Sequence, residues 1–167
     1  MEKIAQFYKV SEEQFINDWR AATGSSIEEA KSVYANIRLP RRATKGSAGY
    51  DFFAPESFTL VPHETILIPT GIRVMIEDGW VLQLYPRSGL GFRHRLQLDN
   101  TVGVIDSDYR GEINVVLHNH GSAPQTIENG ERVAQLLITP VLQPAYEIAE
   151  TLTDTARNAG GFGSTGK

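Results

Sequence analysis

Two carboxylates, Asp106 and Asp108, lie in a segment that combines the residue types of a catalytic site, 103–113 (Gly-Val-Ile-Asp-Ser-Asp-Tyr-Arg-Gly-Glu-Ile). Val104 and Ile105 resemble the end of a buried strand, and an aromatic residue and an arginine follow the carboxylates directly. A carboxylate placed against a water molecule can act as a general base. Because this order of residues suits a site better than a core, we interpret 103–113 as the centre of a candidate active site. The alternative, in which both carboxylates only face solvent, stays open at this point.

The C-terminal tail, 151–167, ends in Gly-Gly-Phe-Gly-Ser-Thr-Gly-Lys, and its residue types suit an anionic ligand. The glycines allow backbone amides to approach an anion closely, while Ser164 and Thr165 add hydroxyl donors and Arg157 adds a fixed cation. Phe162 offers a flat face to an aromatic ring. We therefore predict that the tail is mobile without ligand and closes over a phosphorylated aromatic molecule. A simple disordered tail is the alternative.

Further polar clusters accompany these segments, and each is weak alone. They are 43–51, 86–91, 99–101 and 130–136. In the second, Ser88 lies near a predicted helix N-terminus beside Arg87, so free amides, a hydroxyl and a guanidinium could all donate to an oxyanion. Asp51 alone could be a turn residue, and Arg132 could form a surface pair with Glu131. Together, such clusters are hard to explain as independent accidents, so they predict a site for a phosphorylated ligand.

These clusters need a scaffold, and from residue 37 onward short apolar runs alternate with turn signals. This pattern predicts an all-β sandwich or jelly roll rather than alternating strands and helices. The predicted strands are 64–69, 72–76, 80–85, 96–98, 101–105, 113–118, 132–139 and 145–148. The Glu-Asp-Gly sequence at 77–79 predicts a turn and carries a strong hairpin signal. One short helix is predicted over 88–95.

The N-terminal segment, 1–35, has helical rather than strand periodicity. Ser11 with Gln14, and Ser26 with Glu29, fit the pattern of capping boxes, so we predict a helical hairpin. Two short helices cannot bury both apolar stripes alone, so they should pack on the main domain or on a neighbouring subunit. The predicted organisation is a helical extension (1–35), a β core (36–150) and a flexible tail (151–167).

Length, charge and composition exclude or disfavour several classes of protein function. The chain has 167 residues and no cysteine, which suits one domain with a small appendage and excludes thiol catalysis and disulfides. A net charge of −4 argues against a general nucleic-acid binder. No apolar run approaches the about 20 residues that span a membrane. A cytoplasmic protein that binds neither nucleic acid nor membrane is therefore the expectation.

The motifs, in their order and spacing, resemble those of the trimeric dUTPases. The matching segments are 43–51, 86–91, 103–112, 130–136 and 157–166, so the resemblance covers about residues 36–167. It implies a β jelly roll that forms a homotrimer, with active sites between subunits, and hydrolysis of dUTP to dUMP and diphosphate. The extension before it is similar to that of some dUTPases from low-GC Gram-positive bacteria and their phages. Gly91 stands where many members carry Ala, a small-for-small difference.

The resemblance also implies residue roles. Asp106 would be the general base for a water that attacks the α-phosphorus. The implied phosphate-binding residues are Arg87, Ser88, Gly89, Gln135, Arg157, Gly163, Ser164 and Thr165. The implied nucleoside-binding residues are Asn100, Gly103, Val104, Ile105, Tyr109, Asn114 and Phe162, with Tyr109 excluding a 2′-hydroxyl. Mg²⁺ would be bound by the phosphates, with no direct side-chain ligand, and Asp51 would contact it through water. Asp108 and Arg110 would hold the loop and a subunit contact, and Arg132 would pair across the trimer or onto the Asp106 loop.

Alternatives of different kinds remain at this stage. A dCTP deaminase shares this fold and several motifs, but deamination needs a general-base glutamate against C4 of the base, and the corresponding region carries the Asp106 motif instead. A regulatory role, in which residues 1–35 contact another protein, is compatible with retained activity. We expect substrate tests with dUTP and dCTP to separate the enzymatic alternatives.

Overall fold

The structure is a computed structural model, which describes residues 3–156 and 158–160. Its strands are β1 (Ala5–Lys9), β2 (Tyr50–Phe53), β3 (Phe58–Leu60), β4 (Thr65–Pro69), β5 (Ile72–Ile76), β6 (Trp80–Pro86), β7 (Leu96–Leu98), β8 (Gly103–Ile105), β9 (Asn114–Asn119), β10 (Gln125–Ile127) and β11 (Arg132–Pro140). Its α-helices are α1 (Glu12–Thr23) and α2 (Ile27–Asn36). The predicted all-β, jelly-roll-like class with an N-terminal helical hairpin is confirmed.

Two larger antiparallel sheets form the body of the fold. The first has the order β2-β11-β6-β8, and the second has the order β4-β9-β7. Leu82 and Leu136 from the first sheet and Val115 and Leu117 from the second are almost fully buried in one shared core. Two-stranded pairs, β1-β5 and β3-β10, complete the pairing within the described chain. Strands β6 and β11 pair along seven residues, from Ala134 opposite Pro86 to Pro140 opposite Trp80. This long pairing places the residues of the candidate site next to one another.

The N-terminal extension is part of the same core. Ser26 and Glu29 form the predicted capping box, and Ser11 accepts a hydrogen bond from the Gln14 amide. Phe15 is fully buried, as is Ala30 on the second helix. The helices therefore pack on the main domain, which is one of the outcomes predicted. Strand β1, which precedes them, pairs with β5 and was not predicted.

Several strand predictions differ from the structure. The strands β1, β2, β3 and β10 were missed, because runs of three to five residues give little periodic signal. The strand predicted at 145–148 is wrong, since the chain after Pro140 leaves regular structure. There Leu142, Tyr146 and Ile148 are 93%, 91% and 94% exposed. This segment has the composition of a strand, but a strand also needs an edge to pair with.

The segment 77–79 turns as predicted, with Gly79 at φ 81°, but the predicted hairpin is wrong. Strand β5 pairs with β1, whereas β6 pairs with β11 and β8, so this turn carries the chain from one sheet to another. The short helix is confirmed: residues 88–89 are α-helical and continue into a π-helix, Leu90–His94. Within the described residues, no helix is both long enough and apolar enough to cross a bilayer.

Candidate active site

Three of the sequence motifs line one cavity of about 570 Å³, which we call the arginine pocket. Gly49 and Asp51 come from the first motif and β2, Arg87 follows β6, and Arg132 and Gln135 come from β11. These residues meet because β11 pairs with β2 on one side and β6 on the other. The sheet therefore brings together side chains that are more than 80 positions apart in the chain.

Asp51 is the centre of this pocket. It is 5% exposed, and its Oδ1 accepts from Arg87 Nη1 while its Oδ2 accepts from Arg132 Nη1 at 3.4 Å. A guanidinium has five N–H donors, so each arginine keeps donors for another anion while the carboxylate holds it in place. Within the chain, the partner of Arg132 is therefore Asp51 rather than Glu131 or the Asp106 loop. The expected contact of Arg132 with a neighbouring subunit stays a prediction.

Gln135 is fixed in the wall of the same pocket. Its Nε2 donates to the carbonyl oxygen of Pro86 at 3.1 Å. On the other side, a Cβ at Gly49 would lie only 3.0 Å from the Oε1 of Gln135, so glycine permits this close packing. The register places Gln135 opposite both Asp51 and Tyr85. The sequence-predicted residues Arg87 and Gln135 are thus brought together.

Ser88 and Gly89 follow Arg87 directly, in the turn that opens the π-helix, and both are exposed. The amide of Gly91 donates to the Arg87 carbonyl oxygen at 3.0 Å and closes this turn. A Cβ at Gly89 would meet nothing within 4 Å, so the backbone is open on that side. This arrangement is compatible with the predicted contacts to an oxyanion.

The loop between β8 and β9, residues 106–113, is the Asp106 loop, and Asp106 is exposed at its start. The Asp106 carbonyl oxygen accepts from the Tyr109 amide at 3.2 Å, and Arg110 Nη1 donates to the carbonyl oxygens of Ser107 and Tyr109 at 2.6 and 2.9 Å. Ser107 Oγ in turn donates to Asp78 Oδ1 at 3.2 Å. Arg110 therefore holds the loop, as the sequence analysis expected of it.

Tyr109 is held at its ring and at its hydroxyl. Its Oη donates to the carbonyl oxygen of Glu112 at 2.9 Å, and a Cβ at Gly111 would overlap the ring. The Glu112 side chain is 7% exposed and accepts from the Gly71 amide. Burial raises the pKa of Glu112 to about 7. Glu112 was not predicted to have a role of its own. Its position between Gly111 and an apolar run could have indicated a buried carboxyl group.

The predicted nucleoside-binding residues fall into two places. Asn100 lies in a turn closed by the Thr101 amide, which donates to the Leu98 carbonyl oxygen at 3.0 Å. Its Nδ2 is 3.7 Å from where a Cβ of Gly103 would lie, so Asn100 is beside the start of β8. Thr101 has φ 62°, which is unusual for a β-branched residue and marks a constrained turn.

The other predicted nucleoside-binding residues that the structure describes lie on β8 and at the start of β9. Val104 is 65% exposed and Ile105 is half-buried, so the expectation that both end a buried strand is wrong for Val104. The alternation of a paired strand places one of them outward. Asn114 begins β9 opposite Pro69 of β4, in the other large sheet. Arg157, Phe162, Gly163, Ser164 and Thr165 lie outside the described residues.

The loop that carries Asp106 and the arginine pocket lie at opposite ends of β6. Ile105 pairs with Leu82, so Asp106 is level with Val81, while Arg87 follows the last residue of the strand. Six residues at about 3.3 Å each separate these levels by about 20 Å. One chain alone therefore does not bring Asp106 to the arginines.

The described residues suit a metal ion that is carried by its ligand. None of them form a group of three or more histidine or acidic side chains able to hold a metal. Both Asp51 oxygens contact guanidinium groups. This donor set fits Mg²⁺ that is bound by phosphate oxygens and reached by Asp51 through water, since Mg²⁺ keeps several waters readily.

Comparisons with known proteins extend this picture. A sequence model of the dUTPase family matches residues 35–166. The chain is 52% identical over 139 residues to the deoxyuridine 5'-triphosphate nucleotidohydrolase of Hahella chejuensis, covering 81% of this chain and 91% of the relative. It is 49% identical over 131 residues to the protein of that name from Anaeromyxobacter sp., covering 78% of this chain and 89% of the relative.

A mutant dUTPase of Staphylococcus bacteriophage 80alpha, solved with dUpNHpp, is similar in structure. It superposes with a TM-score of 0.77 at 26% identity, and the match covers 99% of this chain and 100% of that one. The structural likeness thus includes the N-terminal extension.

Proposed function

We propose that this chain, which belongs to the dUTPase family and hydrolyses dUTP to dUMP and diphosphate, uses Asp106 as the general base and builds its site from neighbouring copies. A water oxygen forms a bond to the α-phosphorus, and the bond from the α-phosphorus to the bridging oxygen of the β-phosphate breaks. The proton of the water passes to the Asp106 carboxylate, and diphosphate leaves with the bond electrons. The exposed position of Asp106 supports this role, because a base must reach solvent water.

The arginine pocket and the turn after it hold the triphosphate. Arg87 supplies charge, and Gln135 supplies an amide donor beside it. Ser88 and the amide of Gly89 bind oxygens of the α- and β-phosphates from the adjoining turn. Bound Mg²⁺ would supply positive charge that neutralises part of the charge on the leaving diphosphate. Asp51 keeps Arg87 in place and would contact the hydrated ion through water.

The nucleoside lies at the other end of the site. Asn100, Gly103, Val104, Ile105 and Asn114 form the uracil pocket, whose main-chain groups copy the pairing edge of adenine. Cytosine reverses that donor and acceptor pattern, so a buried mismatch rejects it. Tyr109 packs under the deoxyribose and leaves no room for a 2′-hydroxyl. Tyr109 as a whole is 44% exposed, which leaves surface for contact with a ligand.

The observation that carries the proposal is the separation of Asp106 from Arg87 along β6. Side-chain reach cannot close a gap of about 20 Å onto one α-phosphorus. A closed homotrimer resolves this, because each interface joins the Asp106 loop of one chain to the arginine pocket of the next.

The segment after β11 supports the same assembly. Leu142, Tyr146, Ile148 and Leu152 are all more than 90% exposed in the single chain. Such an apolar segment is typical of an interface, so we infer that it crosses to another subunit. It thereby delivers the tail, in which Arg157, Gly163, Ser164 and Thr165 grip the γ-phosphate and Phe162 covers the uracil. The predicted tail boundaries and the cytoplasmic location stay predictions.

Complementation between two inactive variants tests the shared site. Asp106→Asn and Arg87→Ala chains, with different tags, are co-expressed and purified through both tags. Purification through both tags leaves only mixed trimers, and each of these contains one interface with both native groups. About a third of the sites in the purified sample should therefore recover. Diphosphate release from dUTP measures this. Asp106→Asn mixed with Asp106→Ala is the control and should stay inactive, because no site then has the base. An inactive Asp106→Asn and Arg87→Ala mixture would contradict the shared site.

The two alternatives differ in support. The two relatives described above are named deoxyuridine 5'-triphosphate nucleotidohydrolase, and this name does not support the deaminase alternative. Ammonia release from dCTP would still reverse that conclusion. The regulatory role for residues 1–35 stays a prediction, which a pull-down with and without them would test.

A further inference from the structure

The N-terminal extension and the Asp106 loop meet at the turn that joins β4 to β5. Gly71 has φ 70°, and a Cβ there would overlap Ile37 and press on Phe15, so the extension packs directly on this glycine. Its carbonyl oxygen accepts from the Val10 amide at 2.9 Å. On the other side, its amide donates to the buried carboxylate of Glu112. Gly71 is thus held by the extension and by the loop at the same time.

The backbone that follows Glu112 is fixed to the same turn. Thr70 Oγ1 donates to the Ile113 carbonyl oxygen at 2.5 Å, and the Ile113 amide donates to the Ile72 carbonyl oxygen at 2.8 Å. The Glu112 carbonyl oxygen is the group that receives the Tyr109 hydroxyl. A shift of the Glu112 main chain would therefore move the phenol ring.

We propose that Glu112 is a positioning residue for Tyr109, and that through Gly71 the N-terminal extension contributes to discrimination between deoxyribose and ribose. The proposal rests on the role given above to Tyr109 as the filter against a 2′-hydroxyl. It assigns a function to residues 3–37 within the enzyme itself. The extension is then a support for the site, in addition to any contact with another protein.

The surroundings of Glu112 explain why its carboxyl group is suited to this task. Asp18 from α1 and Glu64, before β4, line the same cavity as Glu112. Burial and the nearby Asp18 carboxylate both favour the protonated form of Glu112, in line with its raised pKa. A protonated carboxyl can accept from the Gly71 amide through one oxygen and donate through the other. Glu112 can therefore join α1 and the Gly71 turn without a buried charge.

The test compares kcat/KM for dUTP with kcat/KM for UTP in wild type, Glu112→Ala and Glu112→Gln. Removing the acceptor leaves the Gly71 amide unpaired and frees the loop, so Glu112→Ala should lower the dUTP:UTP ratio by about tenfold. Glu112→Gln keeps an acceptor oxygen for the Gly71 amide, so its dUTP:UTP ratio should stay close to that of wild type. Glu128→Ala is the matched control, since it removes an exposed carboxylate that accepts from Ser57 Oγ at 3.0 Å, and its ratio should equal that of wild type. If Glu112→Ala does not fold, Glu112→Asp, which withdraws the carboxylate by one methylene, should show the same loss.

Further variants separate the possible failures. Tyr109→Ala should lower the ratio more than any Glu112 variant; an unchanged ratio there would refute the Tyr109 filter itself. A lowered ratio in Tyr109→Ala with an unchanged ratio in Glu112→Ala would refute only the positioning role. Ile37→Ala loosens the extension over Gly71 and should lower the ratio by a few-fold. If it lowers only the melting temperature, the extension makes no contribution to selectivity.

Discussion

The two ends of β6 present functional groups in opposite ways. At the end near Pro86, the cations of the arginine pocket are held by a carboxylate, Asp51, that is 5% exposed. At the end near Trp80, Asp106 lies exposed in a loop that is held by main-chain bonds and by Arg110. A buried ionic contact between side chains fixes the binding end, whereas hydrogen bonds to main-chain carbonyl oxygens fix the exposed loop at the chemical end.

This difference follows from what each group does. Arginines that wait for a triphosphate repel one another, so a buried counter-charge must hold them before the ligand arrives. A general base instead needs contact with water and a fixed direction, which a turn supplies without burying its charge. Substitutions at the two ends should therefore fail differently, with loss of chemistry at one end and loss of binding and stability at the other.

The largest effect is expected at the Asp106 end. Asp106→Asn keeps the size of the side chain and removes the proton acceptor, so kcat for dUTP should fall by about 10³-fold, within the range for general bases. Diphosphate release with dUTP, UTP and dCTP measures it, and wild type should turn over dUTP alone. The melting temperature and trimer mass should match wild type. Near-full activity in this variant would mean that Asp106 is not the base.

A smaller effect, of another kind, is expected at the Asp51 end. Asp51→Asn leaves Arg87 and Arg132 without their charged partner, so KM for dUTP should rise by about tenfold and stability should fall by about 1–2 kcal/mol, because both arginines retain partial solvent contact. Thermal melting and steady-state kinetics measure the two changes. Glu56→Gln, which removes one exposed charge, is the control. A variant with normal KM and normal melting temperature would show that Asp51 does not organise the pocket.

The last expected effect is on stability alone, and it concerns pH and Glu112. Its pKa is about 7 in the folded chain against 4.5 when unfolded, because burial disfavours the charge. Between these values the unfolded chain has released the proton that the folded chain still binds, so stability should fall as pH rises from 4.5 to 7 and then level off. The pKa difference alone corresponds to about 3 kcal/mol, and screening by solvent reduces the expected contribution to about 2 kcal/mol. Glu112→Gln should lack this contribution. Chemical denaturation of both proteins across that range gives the difference, and identical slopes would contradict it.

Much of this molecule was predictable from local signals. The capping signals at Ser11 and Ser26 predicted both helices, although only Ser26 forms a full capping box, and apolar runs predicted most strands of the two large sheets. Arg87 and Gln135, which were predicted to serve one site, do line the arginine pocket together, and their contact with phosphate stays a prediction. Local chemistry determines such features, so one sequence is enough to find them.

The missed features depend on contacts between distant residues. The contact of Arg132 with Asp51 was missed because only the pairing of β11 with β2 brings the two residues together. The Asp-Gly turn at 78–79 has hairpin chemistry, yet β1 occupies the edge of β5 and β6 joins another sheet. Glu112 went unnoticed because its partner, Gly71, is 41 positions away. No local pattern contains that information.

The pairing of β1 with β5 has a consequence for synthesis on the ribosome. The helical hairpin, which ends at Asn36, can form as soon as it emerges, but the partners of β1, Ile72–Ile76, follow only after about 40 more residues. At about 5–20 residues per second, the nascent hairpin waits about 2–8 seconds before β1 can pair with β5. In this interval the extension is a natural substrate for a chaperone, and synonymous codons that slow translation between residues 37 and 76 should increase aggregation.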